Sequence, residues 1–69
     1  MPLTMAKTGE VNSVKKIGGR EETKRFLEGV GFVAGSIVTV VSAIGGDLIV
    51  TVKESRVAIS REMAAKILV

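Results

Sequence analysis

The stretch Arg25–Val52 reads RFLEGVGFVAGSIVTVVSAIGGDLIVTV. From Gly29 to Gly46 it holds no charged residue, and glycine occupies positions 29, 31, 35, 45 and 46. Taken as one apolar run it is long enough to cross a bilayer, for which roughly 18 residues suffice. Taken as punctuated segments it belongs to a β-rich domain. The glycines favour the second reading, because each would weaken a single long helix. The apolar residues between them are mostly Val and Ile with Thr and Ser interspersed, a mixture that suits strands. The stretch is therefore a helix end, a turn and a hairpin, and no membrane insertion is expected.

Upstream of Gly31, GGREETKRFLEGVGF reads as a helix over about residues 20–30. Glu21 and Glu22 fall in its first turn, where the helix dipole favours negative charge. Thr23, Phe26, Leu27 and Val30 share one side at helical spacing and are expected to face the core. Gly31 then sits where the chain needs a positive φ to leave the helix, with Phe32 packing back on Leu27. Further upstream, Leu3–Lys7 is expected to form one helical turn capped by Thr4, followed by a turn at Thr8-Gly9. Glu10–Ile17 alternates ambiguously. The favoured reading puts Val11 near the strand start, Val14 in the core and a bulge before Ile17.

Downstream, Ala34-Gly35-Ser36 is a turn and Ser36–Ala43 a strand, with Val38 and Val40 inward and Ile37, Thr39 and Val41 outward. Gly45-Gly46-Asp47 turns a hairpin, and Leu48, Val50 and Val52 face inward. Glu54-Ser55 turns a second hairpin, and Val57 and Ile59 point inward from the next strand. Ser60 caps a short helix, REMAAK, that buries Met63 or Ala64. Ile67 and Val69 close the domain. The sum is a mostly β domain of about five short strands, one inserted helix and a short helix near the C-terminus. A sheet of this size with one buried face tends to close into a small barrel.

The chain has 69 residues, hence one domain spanning 1–69, and buries roughly 60% of its unfolded surface. It contains no Cys, so no disulfide braces it, and the start MPLTMAKTGE lacks the pattern of a signal peptide. A reducing, cytoplasmic setting is expected. With no His and no Cys, nucleophile–His dyads and the usual zinc sites are excluded. The seven carboxylates fall on turns and exposed helix faces, where solvation is their ordinary role. Gly18-Gly19 precedes a helix, yet neither GxGxxG nor GxxxxGK[ST] is present. An enzyme is not expected.

Two surface features carry what remains. Lys15, Lys16, Arg20, Lys24 and Arg25 stand against Glu21 and Glu22. They form either a docking patch for an acidic partner or phosphate backbone, or a solvated helix face with Glu21–Lys24 and Glu21–Arg25 pairs. The chain has no Trp or Tyr and two Phe, so it lacks the stacking platform of single-strand binders, and no nucleic acid is expected as partner. The second feature is an apolar strip of Ile37, Val41, Ile44 and Ile49 on the outward side of the hairpin. It is either covered by the inserted helix or a contact surface for another protein.

In order along the chain, Phe26, Val30, Gly31, Phe32 and Gly35 are followed by the Gly46-Asp47 turn. Arg56, Val57, Ala58, Ile59, Arg61, Ala64, Ile67 and Val69 then complete the set. This ordered combination resembles the ferrous iron transport protein A (FeoA) family over nearly the whole chain. The family often carries Pro-Gly where Thr8-Gly9 and Ala34-Gly35 stand, and proline where Leu48 follows the Gly-Asp pair. Those departures bear on turn stiffness more than on fold. The resemblance implies an SH3-like barrel in the cytoplasm, acting in bacterial ferrous iron uptake beside the FeoB-type transporter, whose cytoplasmic part binds GTP. It implies no catalytic or metal-ligating residue and no cofactor, with weak divalent-metal binding left open. Alternatives are a nucleic-acid-binding small barrel and the SH3-like domain type of iron-dependent transcription regulators.

Overall fold

The structure is a computed structural model that describes residues 1–69. In chain order it comprises a 3-10 turn Leu3–Met5, β1 Val11–Ser13, β2 Lys16–Ile17, α1 Glu21–Val30, β3 Ile37–Ile44, β4 Asp47–Val52, β5 Ser55–Ser60, α2 Arg61–Ala64 and β6 Ile67–Leu68. The strands form two antiparallel sheets, one in the order β1-β3-β4-β5 and one of β2 with β6. The inward residues of both sheets belong to one core. Val38 and Val40 of β3, Leu48, Val50 and Val52 of β4 and Ile59 of β5 come from the larger sheet. Ile17 and Ile67 come from the smaller, and Leu3, Val14, Leu27, Phe32, Ala64 and Val69 fill the gaps.

There are six strands where five are expected, because Glu10–Ile17 divides. Val14 still continues the ladder with β3: its N–H donates to Ser36 O at 2.8 Å and its carbonyl accepts from Gly35 N–H at 2.8 Å. The next residue, Lys15, donates instead to Leu68 O at 2.7 Å. The chain thus passes from one sheet to the other between Val14 and Lys15, with no bulge before Ile17. This crossing turns Val14 fully inward and joins the two sheets at a corner. The bulge lies elsewhere, in β3, where the register against β4 shifts between Val40 and Ser42 and leaves Val41 as the extra residue.

Helix α1 forms as its charges and spacing direct. Glu21 and Glu22 occupy the first turn, and Arg25 Nε lies 3.4 Å from Glu21 Oε1 one turn on. The helix ends at Gly31, with φ 126°, whose N–H donates to Leu27 O and Glu28 O at 3.1 Å each. Phe32 N–H then reaches Leu27 O at 3.0 Å, which completes a Schellman-type close. Leu27 and Phe32 are both fully buried, but Phe26 is 54% exposed. The expectation that Phe26 faces the core is corrected. Residues 26 and 27 lie about 100° apart around a helix, and α1 rests on Thr23, Leu27 and Val30, so Phe26 points out.

Several turns shift by a residue. The first hairpin turns on Gly45-Gly46 with Gly45 at φ 60°, and Asp47 is already the first residue of β4, paired with Ile44. The second turns on Lys53-Glu54, not Glu54-Ser55, with both residues at positive φ, 50° and 63°. Gly35 holds φ 91° in the turn before β3. The first 3-10 turn is shorter than expected and has no side-chain cap; Thr4 lies inside it, behind Pro2. Ser60 does cap α2, its Oγ accepting from Met63 N–H at 3.2 Å. Ala64 is the residue that α2 buries fully.

Candidate interaction surface

The outward side of the larger sheet follows from its register. Directly opposed residues point the same way, so outward pairs such as Thr39–Thr51 alternate with core pairs such as Val38–Val52. Val11, Thr39, Thr51 and Arg56 form one outward row across β1, β3, β4 and β5, and Ser42, Ile49 and Ala58 form another. Ile37 lies outward beside Ser13, and Ile44 outward beside Asp47. Helix α1 packs on the opposite, inward side, with Leu27 in the core, and the Lys53 stem lies against Gly31 where the helix ends.

Of the four residues in the expected apolar strip, Ile37 is 57% and Ile44 66% exposed, while Val41 and Ile49 are half-buried. They do not merge into one patch. Ile37 and Ile44 stand at opposite ends of β3, roughly 20 Å apart at about 3.3 Å per residue. Thr39 and Ser42 interrupt the space between them. One residue that the sequence reading missed joins the face: Val11, 65% exposed, lies diagonal to Ile37 across the β1–β3 ladder. The alternation of Glu10–Ile17 held the signal, but only the pairing with Thr39 fixes which side Val11 takes. Beside Ile37 a shallow groove of about 400 Å³ is lined by Ser36, Thr39, Thr51, Lys53 and Glu54.

The basic residues Lys15, Lys16 and Arg20 are exposed and lie on the other sheet and its link to α1. The single ion pair of the molecule is Arg25–Glu21, so none of the three has a carboxylate within 4.0 Å. Gly31 and Gly35 serve the turns expected of them; Gly46 shares its turn with Gly45, the residue that takes the positive φ. No three of the Asp and Glu side chains come together in a way that would hold a metal ion. No helix is long and apolar enough to cross a membrane.

The comparison that decides the family covers every residue: the FeoA domain model matches positions 1–69. The chain belongs to the FeoA domain family. No protein with a curated description matches it as a relative. Among solved structures it is similar to one described as an iron uptake regulatory protein (FeoA), with TM-score 0.89, 25% identity and coverage of 97% of this chain and 91% of that one. It is also similar to the FeoA of Stenotrophomonas maltophilia complexed with zinc, described as a prokaryotic SH3 domain protein, with TM-score 0.87 and 24% identity over 99% of this chain and 87% of that one. A manganese-dependent transcriptional repressor shares the fold at TM-score 0.88 and 18% identity; 97% of this chain aligns with 39% of that one. The expected FeoA membership and the mostly β, SH3-like fold are thus observed.

Proposed function

We propose that this FeoA-family chain is a small non-catalytic accessory protein of bacterial ferrous iron uptake, docking on the cytoplasmic part of a FeoB-type transporter. The carrying observation is the uncovered outward side of the larger sheet, where Ile37, Val11 and Ile44 stay exposed although nothing in their own fold requires it. Isolated exposed apolar residues are ordinary, but here Ile37 lines a groove on the outward side of the sheet and Val11 lies diagonal to it across the β1–β3 ladder. Its family supports the iron-transport setting. The absence of His and Cys from the chain and the scattering of its carboxylates support a role in binding over chemistry.

The test is a pull-down with the soluble cytoplasmic domain of the transporter. Binding is expected to tolerate salt and to fall at least about tenfold in Ile37→Asp, with the thermal melt of the variant unchanged within about 0.5 kcal/mol as for other surface substitutions. Wild-type affinity in a folded Ile37→Asp protein would remove this surface from the proposal. A second reading, as the domain type of metal-dependent regulators, is favoured by the likeness to the transcriptional repressor. It predicts association with a regulator's other domains and none with the transporter.

A further inference from the structure

The smaller sheet has an outward side of a different character. Lys16 pairs with Leu68, and Leu68 bridges on its other side to Pro2, so Lys16, Leu68 and Pro2 form one outward row. Ile17 and Ile67 of the same ladder point into the core. One step along, Gly18 N–H donates to Lys66 O at 2.7 Å, which sets Lys66 outward and diagonal to Lys16. The Lys66 stem runs over Gly19: a Cβ there would come 3.1 Å from Lys66 Cδ, so the missing side chain leaves room for the lysine stem. Lys16 and Lys66 thus flank the half-exposed row of Leu68 and Pro2, Lys15 and Arg20 are exposed close by in the chain, and none of the four is ion-paired. Glu62 lines a small hollow with Lys66, and Glu21 is held by Arg25.

We propose that this face docks on an anionic lipid surface. Cations surrounding an apolar centre suit a bilayer interface, where lysines meet phosphates while the apolar side chains sink below them. The arrangement suits nucleic acid less, because the centre of the patch offers no aromatic ring and no hydrogen-bonding side chain. The two outward faces belong to different sheets around one core. The protein can therefore lie on a membrane by its β2–β6 side while the β3–β4 side stays free for a protein partner. The inference goes beyond the docking proposed above and does not depend on it.

Co-sedimentation of the full chain with vesicles tests it. Binding is expected to vesicles of phosphatidylglycerol mixed with phosphatidylcholine at low salt, and not to phosphatidylcholine alone. Raising salt should release the protein, since the Debye length falls to about 10 Å at 0.1 M. Each basic residue at such a surface contributes a factor of about five, so Lys16→Gln with Lys66→Gln should weaken binding about 25-fold. Lys16→Glu with Lys66→Glu should abolish it, with an unchanged circular dichroism melt. Lys53→Glu with Arg56→Glu, on the other sheet, should lose only the small general charge effect. Failure to sediment with anionic vesicles at low salt overturns the proposal, as does equal loss in both charge-reversal pairs. An oligonucleotide that displaces the vesicles and depends on Lys16 and Lys66 would reassign the patch to nucleic acid. A transporter pull-down uses no lipid, so the two proposals fail separately.

Discussion

The two sides of the β3–β4 hairpin are built from nearly the same residues and behave differently. Inward, Val38, Val40, Leu48, Val50 and Val52 are all buried; outward, Ile37 and Ile44 are exposed, with Val41 and Ile49 half-covered. Hydrophobicity cannot separate the sets, since Val and Ile serve both. What separates them is the pleat, which sends alternate side chains to opposite faces, and the presence of a second layer on only one of them. Folding explains the inward set. It leaves the outward set unexplained, which is why that face carries the functional proposal.

The comparison is broken most severely by placing a charge on each side in turn. Val50→Asp buries an unpaired carboxylate in a domain whose whole stability is on the order of 5 kcal/mol, and the chain is expected not to fold, as a flat circular dichroism melt would show. Ile37→Asp carries the same chemical change to the outer face and should leave the melt intact while costing partner binding. If both variants unfold, the outer face is structural after all. Next in size, Phe32→Ala should cost about 3–5 kcal/mol in denaturant unfolding, because the ring is wholly enclosed beside Leu27. Smaller and of opposite sign is Lys53→Asn with Glu54→Gly. Both positions hold positive φ, which Asn-Gly adopts readily, so a gain of about 1 kcal/mol is expected, seen as a rise of roughly 4–8 °C in Tm. The smallest expected signal is a ferrous-ion titration, which should show no saturable strong site given the dispersed carboxylates.

The sequence made the inward set legible because alternation and glycine placement agreed over β3 and β4. Helix α1 was legible for a similar reason: Glu21, Glu22 and Gly31 mark its two ends independently. The second hairpin turn carries Lys53 and Glu54, residues that rarely take positive φ, so no local signal in the sequence marks it. The crossing at Val14–Lys15 was invisible, since it depends on Leu68 and Ser36 arriving from distant segments. Helical spacing puts Phe26 inside a wide apolar stripe, and only packing decides how wide that stripe is. On the surface, Lys16 was visible as one charge in a run; its neighbour Lys66 lies fifty positions away in the chain and is joined to it by the β2–β6 ladder alone.

The extra residue in β3 has a further meaning for how this sequence can vary. Because Val41 is unmatched in the ladder, excising it would leave Val40 opposite Val50 and Ser42 opposite Ile49, with every other side chain keeping its orientation. Excising Thr39 instead would turn one end of the strand inside out. Val41 is thus the one spare link in β3, a place where the chain can shorten by a residue at the expense of local curvature alone.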